Sequence, residues 1–181
     1  RSAWNVVTSL NDSEAQNFGV AEHLRHDDRY DIADEFMEAA FALWSSWEEG
    51  AVIGDKEQGR FADPDKVRRV DYVGMHFQSR GPLTVPRSPQ GNPVIIQAGQ
   101  SERGRQFASR WGELLFVIFS TADACMAYRQ EMRERAIGAG RSPDAVKIAP
   151  AVYVVVAKTE EEARDKLKQI ENLARPVDAL A

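Results

Sequence analysis

The chain has 181 residues, 43% of them hydrophobic and 28% charged, with a formal net charge of −5. That length can bury a real core, and the composition is ordinary for a globular domain. The acidic balance argues against a nucleic-acid or anionic-membrane surface, and a single cysteine, Cys125, leaves no internal disulfide to form.

The predicted elements run as follows. AWNVV (3–7) is a short β-branched run, read as a buried strand. The chain opens on it at Arg1 without a methionine, which suggests a cut inside a longer fold. SEAQNFGV is a short helix or turn that Gly19 can stop. From about Asp28 the spacing predicts a helix, with Tyr30, Ala33, Phe36, Met37, Ala40, Leu43, Trp44 and Trp47 on one broad face. Asp27 and Asp28 suit the positive end of its dipole.

Residues 48–92 are rich in glycine and proline yet carry too many apolar residues for a disordered linker. They are predicted to be an excursion or lid, in which RRVDYVG and MHFQSRG form a small hairpin. Alternation then resumes. NPVIIQAG is a strand, SERGRQFASRW a helix closed by Gly112, ELLFVIF a strand, and TADACMAYRQEMRERAIGAG a helix with terminal glycines. VKIAPAVYVVVAKT reads as a strand kinked or bounded by Pro150. A closing helix opens with a Thr159–Glu162 capping box and stops before Pro176. Apolar strands alternating with amphipathic helices mean an α/β fold with a parallel sheet, here of four strands, half of an eight-stranded barrel. The longest apolar run, 148–157, is about half of a membrane helix. With no signal-peptide pattern at the N-terminus, the expected location is the cytoplasm.

Three stretches could carry chemistry. PVIIQAGQSERGR ends a buried strand at Ala98-Gly99 and starts a helix after Ser101. Unpaired N–H groups at such a start stabilise an anion, with Ser101, Arg103 or Arg105 as helpers. Ser101 can equally be a plain N-cap. In WNVVTS, Asn5, Thr8 and Ser9 lie at a strand's carboxyl end, able to bond a planar ligand or only local backbone. In HLRHDDRY, His23 and His26 are spaced to share a metal on a helix, but the one other histidine, His76, is remote, so no metal is expected. His26 and Tyr30 share one helix face, and imidazole plus phenol would grip a phosphate or a ring oxygen. No nucleophile–base signature is present.

WNVVTSLNDSEAQNFG, HDDRYDIADEF, FADPDKV and RGPLTVPRSPQGNPVIIQAGQSERGR, in that order, resemble the flavin-dependent monooxygenases of the bacterial luciferase-like superfamily. The similarity is to the branch that contains nitrilotriacetate monooxygenase, the pristinamycin synthase subunits and dibenzothiophene sulfone monooxygenase. The resemblance implies a TIM (β/α)8 barrel, of which residues 1–181 are one domain, a partial barrel of about four strands with 48–92 as an irregular insertion. It implies FMN-binding roles for Thr8, Ser9, His26, Tyr30 and Ser101, and catalytic residues are not assigned. It also implies reduced FMN and O2 as co-substrates, delivery of the flavin by a separate NAD(P)H:flavin reductase, and oxygenation of a small organic molecule such as an aminopolycarboxylate or aromatic sulfone. Open sheet edges add the expectation of a homo-oligomer. Two other readings remain at this level: a truncated, non-catalytic flavin- or phosphate-binding module, and an unrelated hydrolase with a metal at His23 and His26.

Overall fold

A computed structural model describes residues 1–173. It divides into two compact units, Arg1–Pro150 and the segment from Ala151 on.

The first unit begins with β1 (Ala3–Asn5), α1 (Asp12–Gln16) and α2 (His26–Trp44), followed by an excursion containing β2 (Val52–Asp55), β3 (Arg60–Ala62), β4 (Tyr72–Val73) and β5 (Gln78–Ser79). Regular alternation returns with β6 (Val94–Gln97), α3 (Glu102–Trp111), β7 (Leu114–Val117), α4 (Ala122–Gly138) and β8 (Lys147–Pro150). The main sheet has the order β1-β6-β7-β8, all parallel. Asn5 pairs with Ile96, so the carboxyl ends of β1 and β6 are neighbours. This is the parallel α/β sheet expected from the alternation of apolar strands and amphipathic helices.

Two apolar clusters meet at α3. On one side Val6, Tyr30, Met37, Ile95 and Phe107 pack between α2 and the sheet. On the other, Ala108, Leu115, Val117, Tyr128, Met132 and Ala136 pack α3 and α4 over β7. Phe107 and Ala108 are consecutive, so one helix turn serves both clusters. The side chains of Ile95, Phe107, Leu115 and Met132 are almost wholly buried, each contributing roughly 1.5–3 kcal/mol of transfer free energy.

A charged seam joins α2 to α3. Arg103 Nη2 donates to Asp31 Oδ1 at 2.8 Å and to Asp34 Oδ2 at 2.5 Å. Trp111 Nε1 donates to Asp34 Oδ1 at 2.6 Å, and Arg110 pairs with Glu38. Helix α2 is shorter at its end than the spacing suggests. Ser45 caps it, and Trp47 leaves the helix to donate its indole N–H to the Leu83 carbonyl. Phe36, placed by periodicity on the buried face, is 42% exposed. It turns towards an open groove described below.

The excursion holds two antiparallel hairpins, β2–β3 and β4–β5. The second matches the hairpin read from RRVDYVG and MHFQSRG; the first was not foreseen. Glu35 of α2 anchors the second, its Oε1 accepting the backbone N–H groups of His76 and Phe77 at 2.7 Å each. A Cβ at Gly74 would lie 2.1 Å from that oxygen, so only glycine permits the approach.

The second unit differs from expectation. The predicted strand through 146–159 ends at Pro150, whose missing N–H cannot extend the ladder. Residues 151–157 are in no described strand, and Val152, Tyr153, Val154 and Val156 are exposed. Helix α5 (Glu160–Leu173) follows. The Thr159 hydroxyl accepts the Glu162 N–H as the capping box requires, but the Glu162 carboxylate reaches back one residue further, to Lys158 N. The predicted stop before Pro176 lies outside the described residues.

Burial pushes the Glu35 carboxyl up, but the N–H groups of Phe77 and His76 outweigh it and hold the group below its ordinary 4.5. A depressed carboxyl stabilises the fold above its unfolded value and loses that contribution as pH falls through the folded value. Protection of the His76 and Phe77 amides, measured against their intrinsic exchange rates, is therefore expected to fall selectively below about pH 4.5. In Glu35→Gln that protection should no longer change with pH.

Candidate functional site

The loop between β6 and α3 is the most specifically built feature of the first unit. Ser101 takes the N-cap of α3, its hydroxyl oxygen accepting Gly104 N–H at 3.1 Å. His26, the first residue of α2, places Nε2 3.2 Å from the same hydroxyl. Its Nδ1 lies 2.6 Å from Asp27 Oδ1. A carboxylate there favours the proton on Nδ1, which leaves Nε2 to accept from Ser101 O–H. Asp27, expected only as a helix-start charge, thus orients the imidazole. The His26 side chain remains 45% exposed, and Ser101 is exposed beside it.

Tyr30 stands behind this pair. It is 5% exposed, with its ring against His26 at 5.1 Å and Phe107 at 5.6 Å between centroids. The Arg103 guanidinium lies 5.5 Å from its ring centre. Its Oη accepts Gln97 Nε2–H at 3.2 Å. A Cβ at Gly99 would come within 2.3 Å of that oxygen, and one at Gly104 within 2.9 Å. The two glycines of GQSERG therefore let the loop close over the phenol. Gln97, 3% exposed with its Oε1 unpartnered, is a component the sequence reading missed.

The arginines suggested as anion ligands are engaged elsewhere. Arg103 pairs with Asp31 and Asp34, whose carboxylates outweigh burial and hold its guanidinium above its ordinary value. Arg105 pairs with Glu131 at 2.8 Å and donates to the Gln100 carbonyl.

Thr8 and Ser9 lie apart from His26, Tyr30 and Ser101, along an apolar groove of about 400 Å3 at the carboxyl end of β1. Trp4, Val6, Phe18, Phe36 and Phe77 supply much of its wall. Ser9 sits at φ 60°, a left-handed conformation uncommon for a non-glycine residue. Backbone N–H groups of Leu10 and Asn11, with a smaller contribution from the Ser9 hydroxyl, hold the Glu14 carboxyl below its ordinary value against burial. His23 is on this groove too, 3.9 Å from Glu14 through Nε2. The two histidines of HLRHDDRY therefore face different surroundings. Among the described residues no three His, Cys, Asp or Glu side chains converge on a metal position.

The β6–α3 loop fits a phosphate: a ten-residue helix start, an exposed hydroxyl and imidazole, and a backbone kept close by glycines. A model of luciferase-like monooxygenases matches residues 1–178. The chain belongs to that family. It is 50% identical over 176 residues to dibenzothiophene-sulfone monooxygenase of Rhodococcus erythropolis, covering 97% of this chain and 39% of that protein. The crystal structure of a long-chain alkane monooxygenase superposes with a TM-score of 0.87 at 43% identity, over 94% of this chain and 39% of the other. A riboflavin lyase solved with modified FMN and riboflavin gives 0.86 at 44% identity, over 93% and 38%. The chain thus spans about two fifths of the length of the relatives it matches. Its four parallel strands are the corresponding portion of a luciferase-like TIM barrel. No helix among the described residues is long and apolar enough to cross a membrane.

The close approach of Gly99 makes a sharp expectation. Gly99→Ala forces Cβ onto Tyr30 Oη and Gln97 Nε2, an overpacking that costs about 1–3 kcal/mol. Thermal unfolding should show that loss, and adding Tyr30→Phe should recover part of it.

Proposed function

We propose that this chain carries the phosphate-side half of the flavin site of an FMNH2-dependent monooxygenase. The pairing of His26 with Ser101 at the start of α3 is the observation that carries the reading. In it, the first turn of α3 and the Ser101 hydroxyl hold the FMN phosphate, and His26, taking a proton onto Nε2 as the anion arrives, turns that N–H from Ser101 to the phosphate. Tyr30 supports the loop from behind, with its hydroxyl between Gln97, Gly99 and Gly104. Strands β1 and β6 are neighbours about 4.8 Å apart, so a flavin held at the end of β6 extends towards Thr8 and Ser9 at the end of β1.

Reduced FMN supplies the oxygen chemistry with O2. The protein orients the ring and excludes water from an organic substrate in the groove beside Thr8 and Ser9. Phe77, from the β4–β5 hairpin, lines that groove, which supports a covering role for the 48–92 excursion. A separate NAD(P)H:flavin reductase delivers the reduced flavin. A cytoplasmic setting and a homo-oligomer complete the proposal.

Titration of FMN by flavin fluorescence tests the site. His26→Ala and Ser101→Ala should each weaken binding about tenfold, the size of one charge-assisted hydrogen bond. Tyr30→Phe should weaken it less, and His23→Ala should leave it unchanged. Unaltered FMN affinity in both His26→Ala and Ser101→Ala would sink the assignment. Because free reduced flavin consumes O2 by itself, appearance of an oxygenated organic product from reduced FMN and O2 then separates a monooxygenase from a binding module that has no chemistry.

A further inference from the structure

The groove at the end of β1 contains one cation whose charge nothing nearby offsets. Arg29, in the first turn of α2, lines the groove among Trp4, Phe36 and Phe77. Its Nη1 donates to the Leu24 carbonyl at 2.6 Å, while its Nε is buried and has no partner. Among the described residues no carboxylate lies within ion-pair distance of it. The contrast with its neighbours is sharp. Arg25 pairs with Asp28, Arg103 with Asp31 and Asp34, Arg105 with Glu131, and Arg110 with Glu38. Arginine with spare donors beside apolar surface is costly to leave unpaired.

The acidic group on the same groove does not cancel it. Glu14 Oε2 already accepts the N–H groups of Leu10 at 2.9 Å and Asn11 at 3.3 Å. Those bonds hold it as a carboxylate at the start of α1, and its ion-pair neighbour is His23 at 3.9 Å, not Arg29. Arg29 is therefore the groove's guanidinium left, among the described residues, without a carboxylate at ion-pair distance, set in a wall that is largely aromatic and aliphatic.

We infer that Arg29 is a specificity residue, and that the groove takes a mostly apolar molecule bearing one oxyanion, such as an aryl carboxylate or sulfonate. The aromatic wall receives the apolar body, and the Arg29 guanidinium receives the oxygens, for which its planar fork is suited. This rests on the preceding reading only in taking the groove as the place of the organic substrate.

Three matched probes decide it on the full chain: 2-naphthoate, naphthalene and 2-naphthylmethylammonium, titrated by quenching of tryptophan fluorescence, which Trp4 in the groove wall contributes to. Naphthoate should bind about tenfold tighter than naphthalene, the ammonium most weakly. Arg29→Met should remove the preference while naphthalene binding stays, and Arg29→Lys should keep part of it, which covers the case in which the methionine variant does not fold. FMN affinity should be unchanged in both. The proposal is overturned if naphthoate has no advantage over naphthalene, if Arg29→Met retains it, or if FMN and naphthoate are lost together, which would make Arg29 a flavin-phosphate ligand. Ser101→Ala separates the two readings. If it leaves FMN affinity intact the flavin assignment falls, and a persisting naphthoate preference there leaves the groove assignment standing.

Discussion

The buried Tyr30 ring is the joint on which the first unit turns. It is clamped between Phe107 of α3 and His26 of its own helix, while its hydroxyl meets Gln97 at the end of β6. Its oxygen also fills the space beside Gly99 and Gly104. One side chain thereby sets the distance between α2, β6 and α3. Burial of such a ring contributes roughly 1.5–3 kcal/mol. Its hydroxyl can be buried at low cost because Gln97 satisfies it. The exposed pair at the surface, His26 and Ser101, inherits its geometry from this joint.

The charged seam between α2 and α3 performs the same task over a longer reach. Asp34 receives Arg103 and the Trp111 indole together, and Arg110 bridges to Glu38. The Asp34 and Arg103 side chains are 20% and 15% exposed, so their pairing is less screened than a surface ion pair. The consequence for function is that the positive charge of Arg103 is neutralised locally. What reaches the candidate anion site from this helix is its N-terminal dipole and Ser101, with the arginine heads turned to carboxylates.

The excursion at 48–92 is held to the same helix from the other side. Glu35 accepts two amides of the β4–β5 turn, and Tyr72 Oη donates to Glu38 Oε2 at 3.2 Å. These bonds bring Phe77 against Phe36 at 5.3 Å between ring centroids, and Phe36 in turn against Trp4 at 6.0 Å. The aromatic series forms the wall of the groove. Helix α2 therefore carries both the imidazole near the β6–α3 loop and the aromatic side of the groove, which places the two regions at a fixed spacing along one rigid rod.

Much of this was written in the chain itself. Continuous apolar runs declared the four parallel strands, 3.6-residue spacing declared α2, and Gly-Gln-Ser after a strand declared the loop and N-cap that open α3. Local chemistry decides such features, and neighbouring residues suffice to reveal them. The failures share one cause. VVVA at 154–157 looked like strand because apolar β-branched residues favour it, yet a strand also needs a partner, and none of the described strands pairs with it. Phe36 fitted a buried helical face, but the neighbour across from it is a groove. His23 and His26, three residues apart, separate because the chain before α2 runs along the groove while His26 begins the helix. Arg103 and Arg105 looked like anion ligands, and the carboxylates that claim them, Asp31, Asp34 and Glu131, are remote in sequence. The sequence alone thus determined which elements form and which family they belong to, because those depend on residues close along the chain. Which side chains are free to meet a ligand was decided only by the tertiary structure, since a charge or hydroxyl is spent or spare according to partners that folding brings from far away.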